Sequence, residues 1–181
     1  RHRPPPPKKR HYYFYYRSVI SGNETQVILD VLEEENLYAL VETLPVTMPF
    51  FVPDHRIEVP IPTMEGLLGD KLTAFAPGTV GLPYDPESPV DIIKQLFDIG
   101  QLFDVVSDLA AVLDTYARVF TAENGYRQNA HTPETALQST YNAALTLSSI
   151  DLTKRIDAKN ADLLHAGVSN IRPLLVKTKF G

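Results

Sequence analysis

The chain has 181 residues, 44% hydrophobic and 22% charged, which suits one compact domain or a small domain with an extension. A formal net charge of -5 argues against broad attraction to nucleic acid and leaves room only for a local basic patch. The absence of cysteine excludes disulfides, thiolate nucleophiles and thiolate-bound metal, and the five histidines lack the HxxxH-type spacing of a zinc site.

Residues 1–10, RHRPPPPKKR, read as an arm. Four consecutive prolines favour extended polyproline II, and the flanking charges keep it solvated. No apolar run follows, so it is not a secretory signal. No stretch approaches the roughly 20 apolar residues that span a bilayer. A cytoplasmic protein that makes no membrane contact is therefore expected.

HYYFYYRSVI, then SGNE, then TQVILDVLEE predict a β-hairpin, because aromatic and β-branched runs flank a Gly/Asn turn. In the second strand Ile28, Asp30 and Leu32 share a face. Asp30 is then a carboxylate between two aliphatic side chains. Either that face is open to water, or Asp30 is paired or binds a cation, since burying a lone carboxylate is costly. Residues 36–62 hold five prolines, so short extended pieces and turns are expected there, with RIEVPI ending in a strand.

Thr63 is a predicted N-cap and Glu65 sits in the first turn, where a negative charge suits the helix dipole. The helix is expected to run to about Phe75. Leu67, Lys71 and Phe75 are spaced by four and share a stripe, which puts a cation at or inside the apolar face. The plain reading is that the Lys71 stem covers apolar surface while its ammonium reaches water. APGTVGLP ends this helix in a loop.

Ser88 followed by Pro89 is a strong helix start, and Asp91 is placed to complete a capping box. Ile92, Ile93, Leu96, Ile99 and Phe103 are the predicted buried stripe. Asp91, Lys94 and Asp98 lie on the other side at spacings of three and four, which suits ordinary surface ion pairs. From Asp104 to Arg127 a long amphipathic helix is expected, with a break near Gly125. Thr132 and Pro133 open another helix, and one or two shorter helices are expected around Gly167 and Pro173.

VILDVLEE, MEGLLGDKLTAFAPGTVGLPY, DIIKQLFDIGQLFD and YRQNAHTPETAL together resemble the AbiEii/AbiGii-type nucleotidyltransferases, the toxins of bacterial type IV toxin–antitoxin and abortive-infection systems. The resemblance covers most of residues 11–180. It implies an α+β fold, a partial nucleotidyltransferase-like mixed sheet followed by a C-terminal helical bundle. The corresponding division is an arm over 1–10, the remnant of an α/β domain over 11–76 and a helical domain over 77–181. The implied enzyme activity is transfer of a nucleoside monophosphate from an NTP with Mg²⁺. Such chemistry needs carboxylates for the metal and a cation on the phosphates.

By resemblance, Asp30 is a metal carboxylate, Lys71 reaches the triphosphate, and Asp98, with Lys94 one turn earlier, lines the same pocket. Asp30, Lys71 and Asp98 are thus the implied catalytic set, and Lys71, Lys94 and Asp98 the nucleotide-binding one. An RNA acceptor such as tRNA and an antitoxin protein are the implied partners. Two departures stand out. Gln95 replaces the acid that often follows the basic residue of the later motif. The Gly-rich turn and Asp-x-Asp pair that open the family's pattern have no counterpart in these 181 residues. Because residue 1 is Arg, the expectation is that this segment belongs to an N-terminal part not included here, and that the chain alone lacks efficient transfer. The competing readings are a non-catalytic interaction or nucleotide-binding protein of the same fold, and a structural helical domain with solvated charges.

Overall fold

The computed structural model describes residues 8–47, 54–149 and 157–175. The first seven residues of the expected arm lie outside the described residues. The chain divides into two compact units, Arg1–Asn36 and Leu37–Gly181.

The first unit holds the expected hairpin. Strands β1 (Lys8–Arg17) and β2 (Glu24–Glu33) are antiparallel, with His11 opposite Asp30, Tyr12 opposite Leu29 and Phe14 opposite Val27. Pairing begins at Lys8, inside the segment read as an arm, and ends at Arg17, earlier than the sequence suggests. The turn takes Ser18 through Asn23 because Ser18 closes it. Its carbonyl accepts from Gly22 N at 2.8 Å, its N–H donates to Asn23 O at 2.9 Å, and Gly22 adopts a φ of 72°. That left-handed conformation is one that glycine adopts without a Cβ clash.

The second unit begins with β3 (Val41–Pro45) and β4 (Glu58–Pro62), again antiparallel, with Leu44 opposite Val59. Among the described residues the strands form two separate antiparallel pairs. The fold is therefore α+β with a helical C-terminal region. A mixed sheet needs a parallel pair joined by a long crossover, and none is present among these residues.

Helix α1 (Met64–Ala74) starts where Thr63 accepts from Gly66 N at 3.3 Å. Helix α2 (Pro89–Phe103) follows Ser88 with proline in its first turn, but Ser88 makes no side-chain cap bond. The capping box is not formed, since the Asp91 carboxylate pairs with Lys94. Helix α3 runs Leu109–Tyr126, later than the expected start near Asp104. Asp108 decides this by accepting from Ala110 N and Ala111 N at 2.9 and 3.2 Å, the work of an N-cap. The helix passes through Gly125 without a break. Helix α4 (Pro133–Ser148) has a reciprocal box between Thr132 and Thr135. Helix α5 (Ala158–Ile171) continues through Gly167, then tightens to a short 3₁₀ turn at Arg172–Leu174, where Pro173 cannot extend an α-helix.

The core of this unit is helical. Leu68 of α1 and Phe75 at its C-cap, Ile92 and Ile93 of α2, and Leu164 of α5 are essentially inaccessible to solvent. Burying each large aliphatic or aromatic side chain stabilises by about 1.5–3 kcal/mol. A second cluster joins Ala76, Val80, Tyr116, Phe120 and Ala136. The α2 stripe is shorter than predicted: Leu96 is partly buried and Phe103 is 50% exposed. Helix α2 packs against both α1 and α5. Glycines allow the tightest approaches, Gly69 against α3 and Gly167 against the carbonyl of Pro89.

Candidate functional site

Helix α1 carries Lys71 between two core residues, Leu68 of the helix and Phe75 at its C-cap. Its ammonium leaves the apolar face toward α2 and meets Asp98, with Nζ to Oδ2 at 2.8 Å. Lys71 is 29% exposed and Asp98 42% exposed, so the pair is half-buried at the α1–α2 seam. Asp98 is held there because the next residue, Ile99, is buried in the core.

The adjacent Asp70 turns another way. Its Oδ2 accepts from the Tyr38 hydroxyl at 3.0 Å, tying the segment ahead of β3 to α1. Burial, and then the Asp70 carboxylate, push the Tyr38 hydroxyl up to about 12. The start of α1 is tied as well. Glu65 accepts from Ser107 N at 3.4 Å, and backbone N–H groups, its own first and then that of Ser107, hold its carboxyl below the ordinary glutamate value. Lys71 thus stands on a helix fixed along its length.

The row Asp91, Lys94 and Asp98 splits. Asp91 and Lys94 form the surface ion pair that their spacing predicts, at 3.0 Å, while Asp98 goes to Lys71. Lys94 is therefore engaged one turn away from the Lys71–Asp98 contact. Asp30 is described within the hairpin, where it is 72% exposed and accepts from His11 Nδ1 at 2.6 Å. The Lys71–Asp98 contact lies wholly within the second unit.

Two features escape a reading of the sequence alone. Arg127 pairs with Glu123, one turn back on α3, and donates to the Gly81 carbonyl at 3.4 Å. These residues, with Asp70, Thr73 and Leu82, line a cavity of about 170 Å³. A larger cavity, about 540 Å³, lies between Tyr84, Pro86 and Pro89 and the Lys159–Ala166 part of α5. The i,i+4 spacing of Glu123 and Arg127 was a visible signal, but the loop that faces them was not. Neither Lys71 nor Asp98 lines these two cavities.

Among the described residues no three His, Cys, Asp or Glu side chains gather as a metal cage. Magnesium is usually held by one or two carboxylates together with substrate phosphates. A single exposed carboxylate such as Asp30 falls short of a resident Mg²⁺ site, so these residues do not fit one by themselves. No described helix is long and apolar enough to cross a membrane.

The geometry can be set beside known proteins. The family described as nucleotidyl transferase AbiEii toxin, type IV TA system, matches residues 1–166. Comparison with curated proteins and with solved structures gave no match. Type IV systems pair their toxin with an antitoxin, which makes an antitoxin the partner that membership implies. With most of its length matched, the chain belongs to the AbiEii nucleotidyltransferase toxin family of type IV toxin–antitoxin systems.

Proposed function

We propose that the chain serves transfer of a nucleoside monophosphate from an NTP to an acceptor hydroxyl, with RNA such as tRNA as the acceptor class. In that reaction the hydroxyl oxygen bonds to the α-phosphorus, the bond to the bridging oxygen breaks, pyrophosphate leaves and the hydroxyl proton passes to solvent. Mg²⁺ enters as part of the NTP substrate, and a role for Asp30 as one of its carboxylate ligands rests on the family resemblance alone. Lys71 supplies positive charge to the triphosphate, a role in which an ammonium acts as a compact point charge with three donors. Asp98 fixes where that ammonium stands. Lys94 belongs to the wider rim of the same site, and the work is cytoplasmic.

The observation that carries this reading is the 2.8 Å meeting of Lys71 and Asp98 across two helices, from positions 27 residues apart in the chain. The pair sets side by side, at the α1–α2 seam, the ammonium and the carboxylate that this reading assigns to the phosphates. The test is label transfer from an α-labelled NTP to RNA by the intact protein and by its Lys71→Ala variant. Label transfer that survives Lys71→Ala unchanged removes Lys71 from the reaction. An Asp30→Asn variant with unaltered Mg²⁺-dependent NTP affinity removes Asp30 from the metal.

One observation favours a second reading, a nucleotide-binding or interaction protein without turnover. The 181 residues contain no Asp-x-Asp pair, and no cluster of metal-ligating side chains forms among the described residues. Saturable NTP binding with no label transfer, in a protein of normal helical content, distinguishes it.

A further inference from the structure

We propose that Asp98 is an internal stand-in for a substrate phosphate: its carboxylate occupies the Lys71 ammonium in the free chain and must yield part of that charge when a triphosphate arrives. The proposal rests on the nucleotide-binding reading above, and its experiment separates failure of the one from failure of the other.

The argument is electrostatic. A carboxylate and a phosphate are both oxyanions that accept hydrogen bonds from an ammonium. Asp98 already holds Lys71 at 2.8 Å, and the half-buried setting screens the contact less than open water does. Lys71 has three donors, so a phosphate can join without expelling Asp98, but two anions then share one cation at close range. Like charges so placed repel, and the cation attracts the incoming ligand less than a free ammonium does.

The surroundings offer little relief. The next cation along α2, Lys94, is paired with Asp91 at 3.0 Å. Two further ion pairs, Arg118 with Asp114 and Arg127 with Glu123, lie along α3 and its C-cap at i,i+4 spacing. Lys71–Asp98 joins two helices, α1 and α2. Its exchange therefore couples anion binding to the seam between α1 and α2. Neutralising Asp98 removes the competing anion and leaves the ammonium in place.

The test measures binding of inorganic triphosphate, which carries the phosphate chemistry without a base, to the 181-residue chain in EDTA. Chelation removes any metal-ligand role for Asp98, so only charge competition remains. Asp98→Asn keeps the shape and hydrogen-bonding reach of the side chain. It is expected to bind triphosphate more tightly, by up to about fivefold, the size set by a part-exposed ion pair. Lys71→Met is expected to weaken binding both alone and combined with Asp98→Asn, and circular dichroism checks that each variant is folded. Unchanged or weaker binding by Asp98→Asn, with Lys71→Met still impaired, overturns the stand-in role and leaves the nucleotide reading intact. Binding indifferent to Lys71→Met in both backgrounds overturns both.

Discussion

Gly69 lies so close to α3 that a Cβ built on it would stand 2.6 Å from the carbonyl oxygen of Val112 and 2.8 Å from the amide nitrogen of Tyr116. Both obstacles are backbone, so neither can rotate away. Gly69→Ala is expected to push α1 off α3 and lower stability by about 1–3 kcal/mol, the usual cost of overpacking. A shift of the urea midpoint to lower concentration checks this, and a midpoint equal to that of the parent refutes it. Lys71 is two residues further along α1, so the same change is expected to disturb its meeting with Asp98.

The Lys71–Asp98 ion pair contributes modestly to stability because both groups reach solvent. A double-mutant cycle with Lys71→Met and Asp98→Asn is expected to give a coupling of about 0.2–1 kcal/mol, falling with added salt. A coupling of several kcal/mol that ignores salt contradicts the half-buried placement.

Tyr38 makes stability depend on alkaline pH. Its folded-state value of about 12 lies above the ordinary 10.0, so the folded state favours the neutral hydroxyl. The stabilisation is complete below pH 10 and is lost as pH rises toward 12. In Tyr38→Phe this component of the alkaline loss disappears, which the difference between the two proteins' urea midpoints across that window measures. Parallel curves for the two proteins count against it.

Glu65 acts at the other end of the scale. Its carboxyl and that of Glu134 are held below the ordinary 4.5, Glu65 mainly by backbone N–H groups and Glu134 first by the Thr132 hydroxyl. Lowered carboxyl values stabilise above the ordinary value, and the benefit is lost as pH falls below it. Glu65→Gln and Glu134→Gln are each expected to flatten the acid side of the stability profile below pH 4.5. An acid limb as steep as the parent's shows that these carboxylates do not set it.

Tyr116 is 7% exposed, and its hydroxyl has no hydrogen-bond partner among the described residues. Leaving a buried hydroxyl unsatisfied costs about 1–3 kcal/mol. Tyr116→Phe is therefore expected to raise stability, by about 1 kcal/mol once the neighbouring side chains have settled. A loss of stability in chemical denaturation means that the hydroxyl is satisfied in solution.

Local chemistry by itself determined the hairpin and the openings of the helices. Aromatic and β-branched runs around a Gly/Asn turn, Thr63 before α1, Ser88–Pro89 before α2 and Thr132–Pro133 before α4 act within a few residues, so a linear reading finds them. The same holds for Asp91 and Lys94, which pair within one helix face. Only the tertiary structure decided that Asp98, in the same row, leaves that face to meet Lys71 on another helix. It also decided that Phe103 stays in solvent and that the strands among the described residues form two separate antiparallel pairs. Partners 27 residues apart are chosen by which helices pack together, and packing depends on close approaches such as Gly69 against α3, whose shape no local spacing encodes.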